Sequence, residues 1–229
     1  MSVGLWLDAS LGAVCLGLYS VDPVKGRGPF MAWEQLQEQK GSLQFISAVF
    51  ARLLDNAGLH VHDVSELWVS SGPGTFTGIR GSLAFCYGLW DGHSALNCFA
   101  FSATELLCFA LAKQQKLAQS GLLLAATQQK GYLSSYQAAT QELQSVAFAL
   151  GDPLPATTAL WSMGEWAPAL PEAVTNAGNY HGHLSMTAAY ALAQEYFLAF
   201  LQEHPTPYAL APRYLRESTV EERLAGKGP

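Results

Sequence analysis

The sequence predicts an α/β protein of two lobes, each a mixed sheet with helices on its faces. Three short apolar runs stand together before the first helical pattern, and helix and strand alternate after them. A weaker copy of that order follows Ser102. Half of the 229 residues are hydrophobic and only 13% are charged, so the chain can bury a sizeable core and has no disordered composition.

Val3–Asp8 and Ala13–Tyr19 flank the turn Ala9-Ser10-Leu11-Gly12 and read as a hairpin. Phe30–Gln35 is a third strand, after the Gly/Pro-rich turn Asp22–Pro29. Leu43, Ile46, Phe50, Leu53, Leu54 and Ala57 recur at helical spacing, and Gly58 stops that helix. Glu66–Ser70 is a strand, Gly72–Gly74 a tight turn, Thr77–Trp90 a helix and Leu96–Ala100 a strand. Ser102-Ala-Thr-Glu105 is a capping box that opens a helix to about Ala118.

In the second cycle, Leu122–Ala126 and Tyr132–Ala138 form a hairpin and Val146–Leu150 a third strand. Asp152–Pro171 reads as irregular, with Ala173–Ala177 a short strand after it. Met186, Ala189, Tyr190, Ala193, Phe197, Phe200 and Leu201 mark a helix closed by Pro205, and Pro207–Arg216 is extended. The organisation expected is a first lobe over 1–101, a smaller second lobe over 102–206, and a tail over 207–229 that returns to the first lobe.

Net charge is −6, and the 12 basic residues are scattered. Strong nucleic-acid binding draws on clustered Lys and Arg, so the chain is expected not to hold RNA tightly alone. Cys15, Cys86, Cys98 and Cys108 form no C-x-x-C pair, and Cys86 and Cys108 lie in apolar helical patterns. The first basic residue is Lys25, so no secretory n-region is read, and no apolar run reaches a membrane span of about 18 residues. The expected compartment is the reducing cytoplasm.

Gly72-Pro-Gly74-Thr75-Phe-Thr-Gly78 lies between a strand and a helix. It is not a dinucleotide fingerprint: Cys98-Phe99-Ala100 stands where the acidic residue belongs, and Pro73 removes a backbone N–H. Nor is it a Walker loop, because no Gly-Lys-Ser/Thr follows. Glycines permit close backbone approach, and Thr75 or Thr77 can cap the helix. Gly78, Gly81 and Gly88 cost the helix about 0.8–1 kcal/mol each relative to Ala, so a packing reason is expected. That reason is either the helix's own sheet or a partner helix.

Here the sequence resembles a known family, the TsaB (YeaZ) group. Its members open with a strand like I-L-A-I-D-T-S-T, where this chain has Leu5-Trp-Leu-Asp8-Ala-Ser10. They carry G-P-G-S-F-T-G-[VI]-R-x-G, where this chain has Gly72-Pro-Gly-Thr-Phe-Thr-Gly-Ile-Arg80-Gly81. Their G-V-S-T-L and P-x-Y-L-R segments are matched by Ala100-Phe-Ser102-Ala-Thr and Pro212-Arg-Tyr214-Leu-Arg216. The matches keep the family order and span about the whole chain. Two polar family positions differ: Thr127-Gln128-Gln129 replaces D-A-R, and Gly41 replaces a His.

The resemblance implies the two-lobed actin/sugar-kinase/Hsp70-like (ASKHA) fold. It also implies a non-catalytic subunit that scaffolds or activates the bacterial machinery forming N6-threonylcarbamoyladenosine next to the tRNA anticodon. A TsaD-like subunit would carry the chemistry and a TsaE-like ATPase would complete the assembly. ATP and metal would then belong to the partners, and tRNA would be met only through the complex. The competing reading is an ATP-dependent transferase or kinase of the same fold.

Site expectations follow. The docking face is placed on the first two helices, at Leu43, Ile46, Phe50, Leu53, Gly78, Ser82 and Phe85, with part of the apolar stripe left exposed. For the chain alone, the sequence leaves both a monomer and a homodimer open. Asp8, Ser10, Gly72, Gly74 and Thr75 are the residues placed to face a weakly bound nucleotide, the alternative being that Asp8 caps its own turn. No metal site is expected: there is no H-x-x-x-H pair, and His60-x-His62 and His181-x-His183 lack an acidic cluster. No nucleophile set with supporting spacing is found.

Overall fold

The computed structural model describes residues 2–36, 42–126, 129–154, 158–164 and 179–214. β1 (Ser2–Asp8), β2 (Val14–Asp22) and β3 (Gly26–Leu36) form an antiparallel meander. β4 (Val64–Ser70) and β5 (Asn97–Phe101) extend it in parallel from β1, giving the order β3-β2-β1-β4-β5. Parallel neighbours need crossovers. α1 (Ile46–Ala57) supplies the crossover before β4, and α2 (Phe76–Gly92) the one from β4 to β5.

The second sheet repeats the plan. β6 (Gln119–Ala125), β7 (Lys130–Gln137) and β8 (Glu142–Ala149) are an antiparallel meander, and β9 (Ala159–Met163) and β10 (Tyr180–His183) run parallel to β6. The order β8-β7-β6-β9-β10 has the same strand senses as the first sheet. This duplicated, two-lobed α/β arrangement is the ASKHA-like fold.

α1 buries Ile46, Val49, Phe50, Leu53 and Leu54, the spacing that places apolar residues on one helical face. It ends at Gly58 in the left-handed region, with φ of 66°, whose N–H bonds back to the last turn. With α2 it covers the outer face of the first sheet, in a core that includes Leu5, Leu7, Leu67, Val69, Ile79 and Leu83.

Between the sheets lie α3 (Ala103–Gln115) and α4 (Met186–Glu203). α3 leaves the first sheet but packs on the second: Thr104 accepts a hydrogen bond from Ser134 Oγ at 2.7 Å, and Ser120 Oγ donates to the Cys108 carbonyl. α4 leaves the second sheet but packs on the first. Its Phe197 ring lies 5.7–6.3 Å from the rings of Trp6, Tyr19, Phe30, Trp68 and Phe101. Sandwiched in this way, α3 is buried continuously from Ala103 to Ala112 and shows no polar face there.

Three local expectations change. β9 falls inside the stretch read as irregular, because its five residues are buried on both faces and show no alternation. β10 lies after Asn179, while 173–177 lies outside the described residues. Only half of the Ser102–Glu105 capping box forms: Ser102 Oγ accepts from the Glu105 N–H at 3.3 Å, but the Glu105 carboxylate turns elsewhere. It accepts from Ser145 Oγ at 2.9 Å, from the Tyr208 hydroxyl and from Arg213 at 3.2 Å.

Tyr208 and Arg213 belong to the tail, which runs back along the first lobe. The Tyr208 N–H bonds the Ala100 carbonyl at 3.0 Å and the Arg213 N–H bonds the Ser71 carbonyl at 2.8 Å.

Candidate functional site

Asp8 ends β1 and Ser70 ends β4, so the loops that follow them meet at one edge of the sheet. Asp8 and Ser10 are fully buried. Asp8 Oδ1 accepts from the Ser10 N–H at 2.9 Å and from Ser10 Oγ at 2.6 Å. Ser10 Oγ has thereby used its proton, so Ser70 Oγ, 2.9 Å away, donates to it. The other carboxylate oxygen, Oδ2, is 2.7 Å from the Tyr190 hydroxyl of α4. Burial raises the Asp8 pKa above the ordinary carboxylate range, and its hydrogen bonds with Ser10, Tyr190 and Ser70 offset only part of that.

The glycine turn closes the other side. A Cβ on Gly74 would lie 2.2 Å from the Ser10 carbonyl oxygen, and one on Gly78 would lie 1.8 Å from that of Ala9. The Thr75 N–H donates to the Ser10 carbonyl at 2.7 Å. Gly72 has φ of 106°, and a Cβ there would meet Ile79 at 2.7 Å and the Arg213 carbonyl at 3.0 Å. The glycines of this motif therefore exist for contact within the chain: backbone of the first hairpin, backbone of the turn and backbone of the tail touch one another.

The structure thus brings Asp8, Ser10, Gly72, Gly74 and Thr75 together, as expected for a nucleotide-facing group, but shuts the space between them. Of these, only Thr75 is exposed. Thr75 starts α2 without a side-chain cap; its Oγ1 instead lies 3.4 Å from the Ala9 carbonyl. The Ala9–Ser10 backbone lies where side chains at positions 74 and 78 would stand, so these glycines make room for the chain's own backbone.

The docking expectation is corrected. Ile46, Phe50 and Leu53 are 3–6% exposed and face the first sheet. Ser82 is fully buried with its hydroxyl donating to the Gly78 carbonyl at 2.9 Å, and Gly78 lies against Ala9. Phe85 is half-buried, its ring 5.5 Å from that of Phe50. The wide stripe is consumed by the sheet and by contact between the two helices. Leu43 sits in the short 3-10 turn Ser42–Phe45; its side chain lies outside the described ones, as do Gly41, Thr127 and Gln128.

The surface these helices present is built from other residues. On α2, Phe76, Arg80, Ala84, Tyr87, Gly88 and Trp90 are exposed, and a Cβ on Gly88 would meet nothing within 4 Å. Arg80 lies 3.8 Å above the Phe76 ring and donates to the Tyr214 hydroxyl at 2.9 Å, and Tyr87 donates to the Leu210 carbonyl. Phe45, Ala48, Ala51 and Arg52 are exposed on and just before α1.

Tyr190 is the site residue that periodicity conceals. Its position in an apolar helical pattern reads as core, and it is core; the signal was its hydroxyl, which in a buried tyrosine needs a partner.

The histidine pairs hold no metal geometry. His62 stands edge-on to His93 at 5.3 Å, His181 stacks on Trp161 at 4.7 Å, and His183 Nδ1 lies 3.3 Å from Ser162 Oγ. Among the described residues no three His, Cys, Asp or Glu side chains are grouped to hold an ion, and all four cysteines are free thiols. No helix of the described residues is long and apolar enough to cross a membrane.

No protein-family model matches the sequence, and no curated protein does. Solved structures match its fold. An uncharacterized protein with similarity to peptidase YEAZ from Pseudomonas aeruginosa aligns with 94% of this chain and 100% of its own, at a TM-score of 0.66 and 20% identity. YeaZ from Pseudomonas aeruginosa aligns over the same shares, at a TM-score of 0.61 and 19% identity. From β1 to the returning tail, the chain is YeaZ-like in its fold.

Proposed function

We propose that this protein is a TsaB-type partner subunit of the bacterial machinery that forms N6-threonylcarbamoyladenosine next to the tRNA anticodon. It scaffolds or activates a TsaD-like catalytic subunit, and a TsaE-like ATPase acts with them. The observation that carries this reading is the closed junction at Asp8. A chain with the whole YeaZ fold and the GPGTFTGIRG block uses that block to pack its own loops, which fits a subunit that has given up ligand chemistry. ATP and metal then belong to the partners, and this chain needs no cofactor of its own.

In this reading docking uses the outward face of α2 together with α1. Small residues at Ala84 and Gly88 let a partner helix approach, while Phe76, Tyr87 and Trp90 supply aromatic area of the kind enriched at interfaces. Without its partner the chain pairs with a second copy through the same face. tRNA contact comes through the complex, since the net charge is −6. The working compartment is the cytoplasm.

Calorimetric titration with a TsaD-like subunit tests this. Binding is expected, and Ala84→Arg should weaken it by roughly thirtyfold or more, the scale of an interface hot spot, while leaving thermal unfolding unchanged. The isolated chain should hydrolyse no ATP and modify no tRNA. Turnover by the chain alone that is lost in Asp8→Ala, or no association with the TsaD-like subunit, would overturn the reading.

A further inference from the structure

A cavity of about 350 Å³ lies where the first sheet, the β7–β8 turn and the chain leaving α4 meet. Trp68, Phe101, Leu143, Phe200, His204 and Tyr208 are among its lining residues. It is remote from the Asp8 junction: Tyr132, near the start of β7, reaches Gly74, whereas the cavity is lined by Gln141, beyond the far end of the same strand.

Two polar atoms distinguish this cavity from an ordinary packing gap. Trp68 is 3% exposed, and its indole N–H has no hydrogen-bond partner among the described residues. His204 Nε2 is also buried and has no partner among the described residues. Buried polar atoms in native proteins are nearly always satisfied, and here the two residues that carry these exceptions both line one cavity. The rest of the wall is largely aromatic, with Phe101 and Phe200 almost fully buried.

The electrostatics select against a charged guest. Glu203, on the wall, is bridged to Lys113 at 2.7 Å, and Glu105, behind Tyr208, is held by Arg213 at 3.2 Å. Burial holds the His204 pKa below its ordinary value, so the ring is neutral at neutral pH. An ionic guest would find no free counter-charge among these groups. The volume sits at the small end of ligand sites, which run to about 300–1,000 Å³.

We propose that this cavity binds a small uncharged planar heterocycle of nucleobase size. An acceptor on its ring edge takes the Trp68 N–H, a complementary group meets His204 Nε2, and the aromatic wall covers its faces. The site is independent of any partner subunit.

The test uses the full chain, ¹⁵N-labelled, with the Trp68 indole resonance assigned by its loss in Trp68→Phe. Adenine, adenosine and a short oligoadenylate are the probes, and benzoate is the charged control. Saturable displacement of the Trp68 indole signal by adenine is expected, with none by benzoate. Adenosine and the oligomer distinguish a free base from a base carried on a ribose or a strand. Trp68→Phe keeps an aromatic side chain but loses the indole N–H together with the five-membered ring, so calorimetry should show binding weakened by about tenfold or more. Thr206→Phe, which adds a ring at the exposed rim, should abolish binding with the Trp68 N–H intact. An indole signal that no heterocycle moves, or binding that both variants leave unchanged, would overturn the proposal.

Discussion

The Tyr190 hydroxyl joins two parts of the chain 182 residues apart, lying 2.7 Å from Asp8 Oδ2 and 2.9 Å from the Ala13 carbonyl oxygen. A tyrosine has one proton to give. Either that proton is shared between the two oxygens, or Asp8 is protonated and donates to Tyr190, which then donates to Ala13. The raised Asp8 pKa agrees with the second arrangement.

Asp8→Asn should therefore imitate the native state. Its amide would donate to Tyr190 and its oxygen would accept from Ser10. Because the folded-state pKa is raised, the Asp8 contribution is complete below the unfolded value of about 3.9 and is lost as pH rises through the folded value. Urea unfolding from pH 4 upward should show wild type losing stability relative to Asp8→Asn, with the two alike at the acid end. A variant that is less stable at every pH would mean that the carboxylate is charged in the fold.

Phe50→Ala should act on folding. With the ring 6% exposed and packed on Phe85, truncation is expected to cost about 3–5 kcal/mol in chemical denaturation. A fully stable Phe50→Ala protein would return the residue to the interface.

Two glycines in one helix should respond oppositely to alanine. Gly88→Ala, in open space, should stabilise by about 0.5–1 kcal/mol through helix propensity alone. Gly78→Ala puts a methyl 1.8 Å from the Ala9 carbonyl oxygen and should force the Asp8 junction apart, lowering the melting temperature. Equal effects from the two would mean that the hairpin loop can move aside freely.

Arg213→Met should reveal how firmly the tail is held. Glu105 is fully buried, and removing its cation leaves a carboxylate facing only hydroxyl donors, at a cost of about 3–5 kcal/mol. Adding Glu105→Gln should recover most of that loss. If the single variant melts like wild type, the tail does not hold that carboxylate in solution.

Strand order was legible in the first lobe because its elements carry unmixed signals. α1 has its apolar residues at 46, 49, 50, 53 and 54, and Gly58 stands at the stop. The second lobe was harder. β9 is buried on both faces, so it lacks the alternation that marks a half-exposed strand, and Pro153, Pro155, Pro168 and Pro171 suggested a loop. Composition could rank Ile46 and Phe50 as apolar but could not say whether a sheet or a partner covers them, since either buries the same stripe. The Gly72–Gly78 turn announced close approach, yet what approaches, the Ala9–Ser10 backbone, is fixed by a contact more than 60 residues away. Tyr190 and the tail are long-range partners of the same kind, outside the reach of any local pattern.

The exchange of α3 and α4 between the sheets bears on how the molecule can move and how it must be made. The first sheet has no inner cover until the ribosome has released most of α4, so a chain stopped after β5 would expose Trp6, Trp68 and Phe101 to water and invite aggregation. Once folded, Phe197 ties α4 to five rings of the opposite lobe. A hinge that opened the lobes would have to draw that ring out of its socket, and the Tyr190–Asp8 link would break with it. Such a molecule offers its surroundings a fixed shape, and changes of state in any assembly it joins must be supplied by the other members.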